Sequence, residues 1–328
     1  MPRILYKPGG QPPRFDCTVQ ELPALLGSQS GLVWLDLDSE GDLKLSEQIL
    51  AQVFKFHPLA IDDALREVHG PKLDNWGDYL LVVLQEAVFA AGRSELKQTE
   101  LDIFLGPSFL VTYHHEPSPA VEALLEMSRQ NPPWLERSSG HVLYRLVDEM
   151  TNRYFQTIDD MEGLMDEMEE RIFRRPPPRT PEALFDYKRI FMQLRRTFSG
   201  QRELLGRLAR EELPAIPQRD QVYFRDVYDH FSRLYELSEN MRDLSMALLE
   251  TYLSVVSNRL NTVMKTLTIV TSLFMPLTFI TSFYGMNFFV NQTPDQRWTN
   301  PAALAITFAI MILTPLGMLL WMRRQGWL

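Results

Sequence analysis

The chain is 328 residues long, enough for about two domains, and carries a formal net charge of −9 at pH 7. With no long basic stripe to neutralise phosphates, that balance excludes a nucleic-acid-binding surface. The single cysteine, Cys17, excludes an internal disulfide and a cysteine-based zinc cluster.

Mean hydropathy is that of a soluble protein, yet the apolar residues are concentrated towards the C-terminal end. The opening MPRILYKPGG has no apolar core and so does not read as a signal peptide. Residues 1–135 predict a cytoplasmic α/β domain. LVWLDLD at 32–38, YLLVVLQEAVF at 79–89, LDIFLG at 101–106 and SFLVTYHH at 108–115 have strand character, the last two joined by the turn signal Gly106-Pro107. Helical stretches are expected near 46–56 and 58–68. His57, His69, His114 and His115 raise a metal site, but no pair has the spacing of helical or ribbon zinc sites. His114 and His115, being adjacent, would point to opposite faces of a strand.

Residues 136–217 predict a cytoplasmic helical hairpin. From His141 to Arg175, Leu143, Leu146, Val147, Met150, Tyr154, Ile158, Met161, Leu164, Met165 and Met168 recur at three-and-four spacing, and Pro176-Pro177-Pro178 ends the run. A second helix is expected over about 181–213, stopped by Pro214 and Pro217. Asp159, Asp160, Glu162, Asp166, Glu167, Glu169 and Glu170 make the first helix densely anionic. That density fits an ordinary solvated face, or a field that gathers cations.

The next segment, 218–286, meets no proline after Pro217 until Pro276. It predicts one helix of about 69 residues, on the order of 100 Å long at ~1.5 Å per residue. A helix of that length needs neighbours, and identical copies are the economical source. Its uncharged stretch 266–286, of about 21 residues, and a second stretch at 301–322 are each long enough to cross a hydrocarbon core of ~30 Å. Arg259 and Lys265 precede the first span and Arg323 and Arg324 follow the second, which places both termini in the cytoplasm. Only the loop at 287–300 would reach the far side, leaving 323–328 as a cytoplasmic tail.

Read in sevens, this helix has an unusual seam. Ser254, Asn261, Thr268, Met275 and Ser282 share one position, and Ser257, Met264, Thr271, Thr278 and Gly285 the position three further on. Soluble coiled coils fill both with Leu, Ile or Val. Here large apolar residues lie between the seam positions, as in a lipid-embedded bundle around a wet axis. Small and polar residues also line dry, tightly packed transmembrane interfaces, so periodicity leaves both arrangements open.

Tyr284-Gly285-Met286-Asn287 closes the first span and is preceded by FMPLTFI at 274–280 and YLSVVSN at 252–258. With YFRDVYDH at 223–230, FHPLAIDD at 56–63 and the terminal Trp327-Leu328, the whole chain resembles the CorA family of divalent-cation channels, the two-span Gly-Met-Asn group. The resemblance implies a homopentameric funnel: an N-terminal α/β domain, long stalk helices, and a pore lined by the first of two C-terminal transmembrane helices in a bacterial-type inner membrane. It implies a selectivity filter of Gly285, Met286 and Asn287, and a pathway through Thr278, Met275, Thr271, Leu267, Met264, Asn261 and Glu250 towards the cytoplasm. Leu267 lies one position off the polar seam. The family's cation sensor between subunits maps onto Asp63 and Asp226, where bound cytoplasmic Mg²⁺ would hold a closed state.

Two features depart from the resemblance. Family magnesium channels follow the motif with Met-Pro-Glu-Leu, whereas this chain has FFVNQTPDQRW at 288–298, where the one acid, Asp295, is offset by Arg297. The basic C-terminal run is reduced to Arg323 and Arg324. Mg²⁺ is therefore the leading cargo, with Co²⁺ or Ni²⁺ alongside, and Zn²⁺ coupled to protons, as in the related ZntB branch, is the runner-up. A non-conducting, membrane-anchored scaffold is the alternative of another class. An enzyme is not expected, since the chain has no glycine-rich phosphate loop, nucleophile elbow or metal-ligand cluster.

Overall fold

The computed structural model describes residues 2–28, 31–39, 43–66, 70–89, 96–130, 135, 138–286 and 301–327. They fall into two compact units, Met1–Leu249 and Glu250–Leu328.

In the first unit, β1 (Arg3–Pro8) leads through α1 (Leu22–Leu26) to β2 (Gly31–Asp38). Then come α2 (Leu43–Gln48), α3 (Pro58–Arg66), β3 (Lys72–Asn75), β4 (Leu80–Phe89), β5 (Leu96–Leu105) and β6 (Phe109–His114). These six strands form one mixed sheet in the order β1-β2-β6-β5-β4-β3, with β2 and β6 parallel and the other neighbours antiparallel. The β5–β6 turn needs glycine: a Cβ on Gly106 would lie 2.3 Å from the Phe109 ring. The edge strands β1 and β3 carry no period-two apolar pattern that a sequence reading could seize. β3, KLDN, buries only Leu73.

Alternation assigns the two faces. Val33, Leu35, Leu37, Leu81, Val83, Phe104, Val111 and Tyr113 point to one side and share a core with Leu22, Ala60, Ile61, Ala64 and Leu65 of α1 and α3. Instead of a single helix over 46–56, α2 runs into a wider helical turn, Ile49–Val53, which delivers Ile49 and Leu50 to the same core. On the other side, Trp34 donates to Thr112 (3.2 Å) and Thr112 to Asp36 (2.6 Å); Arg3 also donates to the buried Asp36 (2.9 Å).

After α4 (Pro119–Gln130) come α5 (Ser139–Arg174), α6 (Thr180–Leu208), α7 (Gln221–Gly285) and α8 (Pro301–Arg324). α5 starts on the Ser138 cap, whose hydroxyl accepts from the His141 N–H at 3.1 Å. The hairpin is tied to the sheet: Tyr154 donates to the Gln85 carbonyl (2.5 Å), Gln201 to the same carbonyl (3.1 Å), and Arg207 to the Leu73 carbonyl (2.9 Å). α6 ends at Leu208, short of residue 213; Leu213 and Ile216 form a small bridge of their own between Pro214 and its flanks.

The first half of α7 has the heptad pattern of an ordinary packed helix. Phe224, Val227, Phe231, Leu234, Ser238, Met241, Ser245 and Leu248 alternate at three and four residues, and all are buried. Phe231 meets Tyr154 of α5 and Phe198 of α6, each with ring centroids 6.0 Å apart. Each such aromatic or aliphatic side chain contributes about 1.5–3 kcal/mol through burial.

In the second unit, helical segments of both α7 and α8 are long and apolar enough to cross a membrane. On α8 the covered residues Thr307, Met311, Thr314, Met318 and Met322, with Pro315 beside them, recur at three and four, while Ile306, Phe308, Ile310, Ile312, Leu313, Leu316, Leu320 and Trp321 are exposed. A helix with that much bare apolar surface is suited to lipid.

Candidate ion pathway and cation-sensing carboxylates

Within the second unit, the half-covered side of α7 beyond residue 256 is Ile269, Ser272, Leu273, Pro276, Leu277 and Ile280. Ile269, Leu273, Pro276 and Ile280 continue the heptad phase of the buried seam Phe224 to Leu248. The proposed pathway residues Glu250, Asn261, Met264, Thr271, Met275 and Thr278 occupy another phase, and each is exposed in the single chain. At 3.5 residues per turn the two seams lie about 150° apart around the helix. Leu267, also exposed, sits beside the second seam. One side of α7 is thus used up in packing, and the nearly opposite side, hydroxyl, amide and thioether in composition, is left bare.

The threonines on this helix have a defined polarity. Thr262, Thr266, Thr268, Thr271, Thr278 and Thr281 each donate their hydroxyl proton to the carbonyl four residues earlier, at 2.8–3.0 Å. With the proton committed to the backbone, each oxygen turns outward as an acceptor. Thr271 and Thr278 therefore offer lone pairs, which suit the water hydrogens around a cation and not an anion. Gly285 ends the helix and the exposed Met286 follows it; Asn287 and the loop at 287–300 lie outside the described residues.

The two sensor candidates sit in the first unit, Asp63 on α3 and Asp226 on α7. Asp63 accepts from Lys72 Nζ at 2.7 Å, and the same ammonium lies 3.5 Å from Asp74. Burial opposes the charge on Lys72, but the hydrogen bond and charge of Asp63, then of Asp74, outweigh it and raise the ammonium above the usual lysine value. Asp226 is exposed. Its charge reaches Asp148 of α5, whose carboxyl is pushed up by burial and by Asp226 against the opposing pull of Arg145 and His230. Among the described residues no three His, Cys, Asp or Glu side chains of one chain converge to hold a metal ion.

Sequence reasoning missed Lys72 and Asp148. Asp148 stands between Arg145 and Glu149 on α5 and carries no signal that sets it apart from other helix-surface acids. The histidines are accounted for by packing. His57 stacks on Trp76 (4.6 Å between centroids), His114 is buried 3.3 Å from Asp36, and His115 meets Tyr113 edge-on; His69 lies outside the described residues. The acids from Asp159 to Glu170 are exposed, and Glu167 and Glu170 pair with Arg171 and Arg174 one turn on.

The family described as CorA-like Mg²⁺ transporter protein matches residues 29–324. The chain is 32% identical over 311 residues to YfjQ of Bacillus subtilis, covering 94% of each chain. It is 31% identical over 282 residues to the cobalt/magnesium transport protein CorA of Thermotoga maritima, covering 86% of this chain and 79% of that one. The zinc transport protein ZntB of Yersinia pseudotuberculosis is more distant, at 22% identity over 275 residues, covering 83% of this chain and 81% of that one. The complete structure of the CorA magnesium transporter from Methanocaldococcus jannaschii shares the fold, with a TM-score of 0.81 over 99% of this chain and 98% of that one at 22% identity.

Proposed function

The chain belongs to the CorA-like Mg²⁺ transporter family and is a divalent-cation transporter, and from that premise we propose that it is a homopentameric channel carrying Mg²⁺, with Co²⁺ or Ni²⁺ as further cargo. The observation that carries this reading is the bare acceptor seam of α7, on the side of the helix away from its own packing. Five copies bringing that seam together would enclose an axis lined by Thr278, Met275, Thr271, Leu267, Met264, Asn261 and Glu250.

Mg²⁺ holds six oxygens at about 2.0–2.1 Å and gives up water reluctantly. Hydroxyl and amide oxygens accept hydrogen bonds from that water shell without stripping it, and being uncharged they release the ion again. Asn287 would do so at the outer mouth, with Gly285 ending the helix beneath it. Rings of Met275, Leu267 and Met264 would close by losing water when they approach one another. Glu250 would draw ions through at the cytoplasmic end.

Regulation follows from the carboxylates. A cytoplasmic Mg²⁺ bridging Asp63 of one copy and Asp226 of the next would favour the closed arrangement; its loss would leave like charges facing each other. A ligand with higher affinity for one of two states is a sufficient switch. Arg259 and Lys265 before the first span and Arg323 and Arg324 after the second favour a two-span inner-membrane topology with both termini in the cytoplasm.

Proton-coupled Zn²⁺ movement is the second reading, favoured by the acid-poor loop at 288–298 and by the likeness to ZntB. Replacing Asn287 by alanine tests the filter: loss of preference among divalent ions supports it, and an unchanged preference in liposome uptake refutes it.

A further inference from the structure

We propose that Lys72 is a built-in competitor of the divalent ion at Asp63, and that it sets the cytoplasmic Mg²⁺ concentration at which the sensor fills; this rests on the sensor reading above. In the single chain the Asp63 carboxylate is not waiting bare for a cation. It holds an ammonium at 2.7 Å, in a half-buried pair whose side chains are 25% and 29% exposed. A divalent ion entering there must displace or share with that ammonium.

The sheet explains why the lysine is there. Register places Lys72 opposite Val83, Val83 opposite Asp102, and Asp102 opposite Tyr113. The four side chains form one row on the sheet face that α3 covers, with Val83 and Tyr113 in the core shared with α3. Lys72 occupies the edge-strand end of the row, where its stem lies along the sheet and its head reaches Asp63 on the helix above.

Displacement need not strand the ammonium. Asp74 already lies 3.5 Å from it. Further along the row, the fully buried Asp102 has no hydrogen-bond partner for either carboxylate oxygen among the described residues. Strands about 4.8 Å apart put the Cα atoms of residues 72 and 102 about 10 Å from each other, so it is Asp74, on the same strand and face as Lys72, that can receive the ammonium. Transfer from Asp63 to Asp74 keeps Lys72 paired while opening Asp63 to the ion.

The Mg²⁺ dissociation constant fitted from thermal stabilisation of the full-length protein in detergent separates the outcomes, because a ligand bound only by the folded assembly stabilises it by RT ln(1 + [L]/Kd). Lys72→Met is expected to lower that constant about two- to fivefold, the worth of a partly exposed ion pair. Lys72→Arg, which keeps the charge, should hold it near the native value, and Lys72→Gln provides the neutral variant if methionine disturbs folding. A bracing lysine predicts the opposite for Lys72→Met, a weaker site, and that result overturns the proposal, as does an unchanged constant. Asp63→Asn tests the reading beneath it. If Asp63→Asn removes the Mg²⁺ response while neither neutral Lys72 variant shifts it, the sensor stands and the lysine role falls. If Asp63→Asn leaves the response intact, the sensor reading falls and takes the lysine role with it.

Discussion

Thr278 donates its hydroxyl proton to the carbonyl of Phe274, 2.9 Å away on the same helix, and so faces the bare side of α7 with lone pairs alone. In the proposed pore a hydrated cation would meet an acceptor there. Thr278→Ser keeps that arrangement and should conduct, whereas Thr278→Val removes the oxygen and keeps the shape. Losing one hydrogen bond to a charged species costs about 1.5–3 kcal/mol, so Thr278→Val should lower Mg²⁺ uptake into liposomes by roughly tenfold or more. Equal uptake by the two variants would place the ion path elsewhere.

Asp63→Asn combined with Asp226→Asn should weaken inhibition of flux by Mg²⁺ on the cytoplasmic side while leaving flux at low Mg²⁺ in place. Flux recorded against internal Mg²⁺ checks this. An inhibition curve that coincides with the native one would remove both carboxylates from regulation.

Burial of Asp102, together with the charge of Glu100, drives its carboxyl well above the ordinary aspartate range. The folded protein then binds a proton that the unfolded chain releases. Stability associated with this group is full below the ordinary value of ~3.9 and is lost progressively as pH rises towards the raised native value. Asp102→Asn removes the charge, so thermal unfolding followed from pH 5 to 8 should lose part of its downward slope. A gain of about 2–6 °C at pH 8 is expected, for roughly 1–2 kcal/mol. An identical slope in the variant would show that Asp102 stays ionised, or neutral, throughout.

Much of the fold could be read from the chain because its strongest signals are periodic. The four longer strands and the long helices have apolar residues at fixed spacing, and prolines mark the breaks at 176–178 and 214. β1 and β3 escaped because a short edge strand of four to six residues with charged residues in it owes its place to its neighbours. The site divides in the same way. The seam of α7 is a property of one helix and is visible as a heptad. Its meaning became sharper within the second unit, where the half-covered Ile269, Leu273, Pro276 and Ile280 lie on the other side of the same helix. Lys72 and Asp148 were not legible, since each matters through a side chain brought from another element, Asp63 in one case and Asp226 in the other.

The most direct measurement is cation uptake by liposomes containing the purified full-length protein, comparing Mg²⁺, Co²⁺ and Zn²⁺ with and without a pH gradient. A channel for hydrated Mg²⁺ predicts Mg²⁺ entry down its gradient, with Co²⁺ following, at a rate the pH gradient leaves unchanged. Zn²⁺ entry that depends on the pH gradient, without Mg²⁺ entry, would contradict the ion assignment, and no entry of any of the three would contradict the pore itself.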